Sequence, residues 1–184
     1  MDFFTLKGIV EQFLTDMNVL DVSFAPAAHP TLHPGRTAEA RAGDRVIGLL
    51  GEVHPRAAET FDLPRRACLA EIDLDAMMDV AVVGRPQPGL SRFPAVDRDV
   101  ALLVAVEHPA ARVQAAIAAA AGELAESIEL FDVYQGANIP AGSRSLAYRL
   151  TFRAPDRTLA DEEVDAVMAN VRRALTDELG AVIR

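Results

Sequence analysis

The stretch SLAYRLTFR, residues 145–153, alternates large apolar side chains with small, polar or basic ones. Because successive side chains of a β-strand point to opposite faces, this period of two predicts a strand with one buried face. The buried set is Leu146, Tyr148, Leu150 and Phe152. The open set is Ser145, Ala147, Arg149, Thr151 and Arg153. The pattern indicates an antiparallel sheet that helices cover on one side only.

The segments around this strand complete a βαββαβ order. RDVALLVAV (98–106) and SIELFDVY (127–134) are predicted strands, and HPAARVQAAIAAAAG (108–122) is a predicted helix. A second helix is expected to begin at Thr158, because Asp161 follows three residues later as in a capping box. This helix is expected to end at Gly180, before a short edge strand, AVIR. This order is typical of a ferredoxin-like domain, in which both helices lie on one face of a four-stranded sheet.

The same alternation assigns faces to the other two long strands. In the first strand the inward set is Val100, Leu102, Val104 and Val106, and the outward set is Asp99, Ala101, Leu103 and Ala105. In SIELFDVY the alternation predicts Phe131 and Val133 inward, and Leu130, Asp132 and Tyr134 outward. The outer face is therefore expected to combine small residues with carboxylates and one exposed phenol.

Tyr134 and Asp132 give this outer face its chemical character. Small neighbours leave a shallow depression beside the Tyr134 ring, where a flat base can stack as single-stranded RNA bases do on aromatic sheet platforms. Because a carboxylate repels phosphates, Asp132 is useful on an RNA surface only against a base edge that donates hydrogen bonds. Guanine presents two adjacent donors, N1–H and N2–H2, on its Watson–Crick edge, and this chemistry favours guanine.

Two other interpretations of the outer face remain open. Asp132 and Arg149 are placed to form an ordinary cross-strand ion pair, with Tyr134 as a half-buried strand residue. The face also suits a ferredoxin-like module that binds a protein or acts in regulation, which Leu103 and the negative net charge favour.

The first half of the chain is expected to form a separate, incomplete unit. It contains a predicted helix, Leu6 to Met17, followed by four predicted strands: Val22 to Pro26, Ala38 to Arg41, Arg45 to His54, and Cys68 to Leu74. Ala-Gly-Asp between the second and third strands is a hairpin signal. The proline- and glycine-rich segment VGRPQPGLSRFP (83–94) interrupts regular structure and predicts a connector between two domains.

Composition limits the classes of protein to which the chain can belong. A net charge of −9 at pH 7 argues against broad, charge-driven binding to nucleic acid, so any RNA contact must be local. No apolar run approaches the roughly 20 residues of a membrane span, and MDFFTLKGIVEQFL carries acids where a signal peptide is basic. We therefore expect a cytoplasmic protein without membrane contact. The single cysteine, Cys68, is expected to be a buried filler.

The histidines do not form a convincing metal or catalytic site. His29 and His33 have the spacing of helical zinc ligands, but a proline follows each of them and makes a continuous helix improbable. Glu52 and His54 share one face of a strand, where an acid–base pair and two ordinary exposed polar residues explain the pattern equally well. We predict no catalytic residue and no metal site in this chain.

Several motifs in a fixed order resemble the bacterial phenylalanyl-tRNA synthetase beta subunit. The motifs similar to its anticodon-binding domain are FPAVDRDVALLV (93–104), LFDVYQG (130–136), IPAGSRSLAYRLTFR (139–153), RTLADEEV (157–164) and LGAVIR (179–184). Those similar to the end of its catalytic-like domain are DFFTLKGIVEQFL (2–14), LHPGRTAEA (32–40), IGLLGEVHP (47–55) and EIDLD (71–75). The resemblance covers residues 2–184 and implies a C-terminal fragment of a longer chain.

The resemblance implies an α+β chain in three parts. Residues 1–83 would be the C-terminal part of the catalytic-like domain, with a partial antiparallel sheet and a helix. Residues 84–91 would be a linker, and residues 92–184 a ferredoxin-like anticodon-binding domain. The positions matching the family's recognition of the first anticodon base, a guanine, are Ala101, Asp132, Tyr134 and Ser145. To these the open face adds Arg149 as an RNA-binding residue.

The resemblance also implies partners and cofactors for a whole enzyme. The family's beta subunit binds the anticodon stem-loop of tRNA(Phe) and assembles with an alpha subunit into an α2β2 heterotetramer. The alpha subunit carries out aminoacylation with ATP and Mg2+. This chain alone is expected to hold no cofactor and to be inactive as an enzyme.

Overall fold

The computed structural model describes residues 1–64, 66–84 and 91–184. The chain divides into two compact units, Met1–Pro88 and Gly89–Arg184, and each unit has its own apolar core. The predicted linker, residues 84–91, lies mostly outside the described residues. In the described part of the chain, no helix combines the length and apolar character that a membrane crossing requires.

Over its described residues, the first unit is a four-stranded antiparallel meander with three helices. Its elements are α1 (Phe3–Asp16), β1 (Val22–Pro26), β2 (Leu32–Ala42), β3 (Arg45–Val53), α2 (Pro55–Thr60), β4 (Cys68–Ile72) and α3 (Leu74–Val80). The strands lie in the order β1-β2-β3-β4, and the predicted hairpin joins β2 to β3 through Gly43, whose φ is +57°. Helix α1 buries Leu6, Val10 and Leu14 against the sheet.

Several elements of the first unit differ from the sequence-based prediction: α1 spans Phe3–Asp16 and not Leu6 to Met17, β2 begins at Leu32 and not at Ala38, and helices α2 and α3 were not predicted. Strand β4 ends at Ile72 and not at Leu74, because the Asp73 side chain accepts a hydrogen bond from the Ala76 backbone N–H at 2.9 Å and caps α3. Helix α2 was also missed; its N-cap is His54, whose ring accepts from the Arg56 N–H, with Pro55 at the first helical position.

The second unit is the predicted ferredoxin-like domain. Its elements are β5 (Val96–Ala105), α4 (Ala110–Ala121), β6 (Ala125–Tyr134), β7 (Ser143–Phe152), α5 (Asp161–Leu179) and β8 (Val182–Ile183). All the strand pairs are antiparallel, in the order β6-β7-β5-β8. Helices α4 and α5 pack together, and both contribute buried residues to the same core as the sheet. The inner face of the sheet is thereby covered.

The stretch SLAYRLTFR forms most of β7, a central strand of this domain's sheet. Strand β7 lies between β5 and β6, and the side chains buried beneath the helices are the predicted ones, Leu146, Tyr148, Leu150 and Phe152. The Tyr148 hydroxyl donates to the Ala110 carbonyl at 3.0 Å, which ties the sheet to the first turn of α4. Burial raises the pKa of Tyr148 to about 12, because the apolar surroundings disfavour a phenolate.

Most boundaries of the second unit lie within two residues of the prediction, and two of the differences change the account of the domain. Helix α5 begins at Asp161 and not at Thr158; its N-cap is Ala160, whose backbone N–H donates to the Glu163 carboxylate at 3.0 Å. Strand β5 ends at Ala105, so Val106, which the alternation placed inside, is exposed beyond the strand. Gly180 ends α5 in the left-handed conformation, with φ of +60°, as predicted.

Candidate nucleic-acid interface

Strand register brings four of the predicted site residues into two neighbouring rows on the outer face. In one row, Ala147 of β7 lies between Ala101 of β5 and Asp132 of β6. In the next row, Ser145 lies between Leu103 and Tyr134. Since paired residues in a sheet point to the same side, these side chains emerge together on the face that the helices leave open.

A β-bulge in β6 changes the faces of two other residues. Leu130 is opposite the buried Tyr148, and Asp132 is opposite Ala147, so Phe131 between them has no partner on β7. The extra residue shifts the alternation by one position. Leu130 therefore packs against the core, and Phe131 is 49% exposed, in contrast to the prediction that Leu130 faces outward and Phe131 inward.

Arg149 links the bulge to the neighbouring strand. Its guanidinium carbon lies over the Phe131 ring, 5.2 Å from the centroid. The same guanidinium donates to both Asp99 carboxylate oxygens, from Nε to Oδ1 at 2.9 Å and from Nη2 to Oδ2 at 3.0 Å. These bonds lower the pKa of Asp99 and raise that of Arg149. The alternative ion pair between Arg149 and Asp132 does not form, because Asp99 is the partner of Arg149.

Asp132 keeps its hydrogen-bonding capacity. The side chain is exposed, and none of the hydrogen bonds or ion pairs within residues 1–64, 66–84 and 91–184 involves its carboxylate. By contrast, the nearby carboxylates of Asp97 and Asp99 accept from Thr151 and Arg149 respectively. An ionised carboxylate has two acceptor oxygens, so Asp132 can accept two hydrogen bonds from one ligand edge.

The Tyr134 ring lies over the chain just beyond the strand. A Cβ atom at Gly136 would stand 2.5 Å from the Tyr134 hydroxyl oxygen and 2.7 Å from the ring carbon Cζ. Glycine at position 136 therefore leaves the space that this ring position requires. Tyr134 is 45% exposed, so part of the ring remains available to a ligand.

Charge on the outer face is mostly negative. The rows on this face contain one arginine, Arg149, and four carboxylates. The carboxylates are Asp97, Asp99, Glu129 and Asp132. Such a surface disfavours phosphate groups but permits contact with the faces and donor edges of bases. The row of Ala147 and Ala101 forms a low floor between the taller side chains.

Two features of this face were missed from the sequence. The Arg149–Asp99 pair follows from the β5–β7 register, which the sequence pattern did not supply. The exposed Phe131 depends on a bulge, and no glycine or proline in SIELFDVY signals one. Val133 shares the helix side with its partner Leu146, as predicted, yet it is 54% exposed.

The histidines and the glutamate that the sequence offered as metal or acid–base candidates in the first unit bind neighbouring groups of the protein. Glu52 is buried and binds Arg36, Oε2 to Nη1 at 2.6 Å, so it does not pair with the α2 cap His54. The rings of His29 and His33 accept from the backbone N–H groups of Thr31 and Gly35. Within the described ranges, no cluster of three or more metal-ligating side chains is present.

Comparison with known families matches both units. The model of the ferredoxin-fold anticodon binding domain matches residues 91–184, and that of the phenylalanyl tRNA synthetase beta chain CLM domain matches residues 1–74.

Curated relatives align over the whole chain. The beta subunit of phenylalanine–tRNA ligase from Moorella thermoacetica is 50% identical over 100% of this chain and 23% of its own length. Those from Symbiobacterium thermophilum and Clostridium tetani are 49% and 40% identical, again over 100% of this chain, and over 20% and 23% of their own lengths. The chain thus spans about a fifth of the length of these relatives.

Proposed function

This chain belongs to the family of ferredoxin-fold anticodon-binding domains, and a segment matching the phenylalanyl tRNA synthetase beta chain precedes that domain in the sequence. We propose that the chain binds the anticodon stem-loop of tRNA(Phe). The binding surface is the outer face of the second unit. We assign residues 92–184 to this anticodon-binding domain, residues 84–91 to a linker, and residues 1–83 to the end of a catalytic-like domain.

The observation that carries this proposal is an unpaired carboxylate beside an exposed aromatic ring, above a floor of alanines. A guanine stacked on Tyr134 would lie over Ala147 and Ala101, with its Watson–Crick edge directed at Asp132. The carboxylate would accept from N1–H and N2–H2 together, an arrangement that adenine, cytosine and uracil do not offer. Ser145, in the same row as Tyr134, supplies a hydroxyl for a further hydrogen bond.

Arg149 contributes to this surface through its neighbours. Its guanidinium is engaged by Asp99 and lies on the Phe131 ring, so it shapes the outer face and is not available as an isolated cation for phosphate. The resulting interface depends on base contacts more than on charge neutralisation.

The proposed function belongs to a larger enzyme. We propose that the chain is part of a beta subunit that assembles with an alpha subunit as α2β2, and that the alpha subunit aminoacylates tRNA with ATP and Mg2+. The first unit would pack against that alpha subunit. Exposed apolar side chains on α1, among them Phe4 and Ile9, support an interface on this unit.

One set of observations favours a second function, binding of a protein by the outer face. Phe131 and Val182 are exposed apolar residues, and Leu103 lies in the row next to the alanines. Photocrosslinking from position 134 in cell extract separates the two functions: tRNA nucleotides at the anticodon support the first, and a protein captured without RNA supports the second.

Titration of the 184-residue chain with a fluorescent phenylalanine anticodon stem-loop tests the proposal. We expect Asp132→Asn and Tyr134→Leu each to raise the Kd by roughly 5- to 100-fold, through loss of a charged hydrogen bond and of a stacked base. Asp177→Asn, a change of an exposed carboxylate on α5, is the matched control and should leave the Kd unchanged. Equal affinities for all four proteins would refute the proposed site.

A further inference from the structure

Phe131 is an aromatic residue that the bulge turns onto the outer face, close to the proposed guanine site. It is 49% exposed although it stands in the middle of an apolar run, and its ring is braced from one side by Arg149. We propose that Phe131 is a second base-stacking residue, which holds the base adjacent to the guanine in the RNA loop. This inference rests on the proposed function and extends it from one base to two.

The two aromatic residues stand on opposite sides of Asp132 along β6, and both emerge on the outer face. A guanine stacked on the Tyr134 ring would leave the Phe131 ring, across the slot between the two side chains, to an adjacent base of the loop. The Asp132–Ala147–Ala101 row lies between the two rings and forms the floor of this slot.

Arg149 leaves the correct side of the Phe131 ring open. Arg149 is opposite Glu129 on β6, and Glu129 precedes Phe131 along the strand. Arg149 therefore lies on the side of Phe131 that is farther from Tyr134. The ring surface that the guanidinium covers is therefore the one turned away from Tyr134. The other surface faces the slot, where a base can stack.

Asp99 fixes this arrangement. Its two hydrogen bonds to Arg149 hold the guanidinium in one plane above the Phe131 ring. They also neutralise the arginine, so a phosphate gains little by displacing it. We therefore treat Arg149 as a positioning residue for Phe131 and not as a phosphate contact.

A binding cycle between Phe131 and the RNA tests the inference. The 184-residue chain and its Phe131→Leu, Phe131→Tyr and Val133→Ala variants are titrated with three stem-loops: intact, and abasic at either neighbour of the guanine. On intact RNA we expect Phe131→Leu to raise the Kd by roughly 5- to 100-fold. Phe131→Tyr, which keeps an aromatic ring at this position, should bind with the affinity of the wild-type chain. Val133→Ala, at an adjacent exposed position on the helix side, should have no effect.

The abasic loops identify the contacted base. On one of them the Phe131→Leu effect should vanish, because the stacking partner is already missing. If Phe131→Leu binds intact RNA normally while Asp132→Asn and Tyr134→Leu weaken binding, the second base site is wrong and the guanine site stands. If the effect persists unchanged on both abasic loops, Phe131 does not stack on a neighbouring base and the inference is also overturned. If none of these variants changes affinity, the proposed function itself fails.

Discussion

At the scale of single residues, the candidate site depends on which side chains have partners within the protein. Four carboxylates emerge in neighbouring rows of β5 and β6, and two of them are occupied: Asp97 by Thr151, and Asp99 by Arg149. Glu129 and Asp132 have no such partner in the described structure, and Asp132 is the one next to the row of Tyr134. A small residue, Gly136, determines where the neighbouring ring of Tyr134 can lie.

Replacement of Gly136 tests the position of the Tyr134 ring. In Gly136→Ala the new methyl group would overlap the Tyr134 hydroxyl and Cζ, so the ring must move away. We expect a several-fold rise in the Kd for the stem-loop, with a change of under about 1 kcal/mol in the free energy of unfolding, because an exposed ring can move at low cost. Gly8→Ala on α1, whose added Cβ meets open space, is the matched control. Unchanged affinity in Gly136→Ala would show that the ring position is irrelevant to binding.

Tyr148 gives the protein a pH dependence in the alkaline range. The pKa of this phenol is raised by burial from 10.0 to about 12, so folding favours the neutral form. Its contribution to stability is therefore fully present below pH 10 and is lost as the pH rises through about 12.

Tyrosinate absorbance of a Tyr134→Phe variant, in which Tyr148 is the remaining tyrosine, should show a midpoint near pH 12. Denaturant melts of the same variant should show a falling free energy of unfolding between pH 10 and 12. A midpoint near pH 10 would contradict the buried, hydrogen-bonded position of this residue.

At the scale of elements, the bulge in β6 decides which residues of this strand belong to the core and which to the surface. It lets Leu130 pack with the core while Phe131 and then Asp132 both emerge on the outer face. Without the extra residue, strict alternation would put Phe131 under the helices. Edge strands tolerate such bulges because one side of the strand has no partner to keep in register.

Paired substitutions test the bulge. Leu130→Ala removes a side chain that packs on the core and should lower the free energy of unfolding by about 2 kcal/mol, at the low end for leucine because Leu130 is only partly buried. Phe131→Ala, at an exposed position, should lower it by under about 1 kcal/mol. Urea melts of both variants measure the difference. A larger loss in Phe131→Ala than in Leu130→Ala would mean that strict alternation holds.

The sequence predicted the elements that carry a regular period and failed where a local interaction interrupts one. Strict alternation in residues 145–153 placed β7 and its buried face correctly. It also set Asp132 and Tyr134 on the outer face, because the bulge precedes both of them. Leu130 and Phe131 were placed wrongly, since a bulge depends on the pairing with β7 and leaves no mark in the local pattern. Helix α3 was missed because Asp73 ends the preceding strand by capping, within an apolar run.

At the scale of the whole molecule, negative charge limits how the chain can bind RNA. The net charge is −9, and the outer face of the second unit carries four carboxylates with one arginine in the same rows. Long-range attraction for phosphates is therefore weak, and affinity must come from stacking and hydrogen bonds with the bases. A loop that presents unstacked bases suits this surface better than a duplex does.

Salt dependence measures this property. For single strands, log Kobs falls with log salt by about 0.7 per neutralised phosphate. We expect the stem-loop to show a slope of magnitude below about 2, corresponding to very few phosphate contacts. Anisotropy titrations of the 184-residue chain over a range of salt concentrations give this slope. A steep slope, as for a protein that neutralises many phosphates, would indicate a basic site elsewhere in the chain.

The most direct measurement of guanine recognition is a double-mutant cycle between Asp132 and the first anticodon base. Stem-loops with guanine, inosine and adenine at that position are titrated against the wild-type chain and Asp132→Asn. Wild-type protein should prefer guanine to inosine, which lacks the N2 amino group, and should bind adenine still more weakly. In Asp132→Asn this preference should largely disappear, because the acceptor pair is gone. An equal preference for guanine in both proteins would show that another group reads the base.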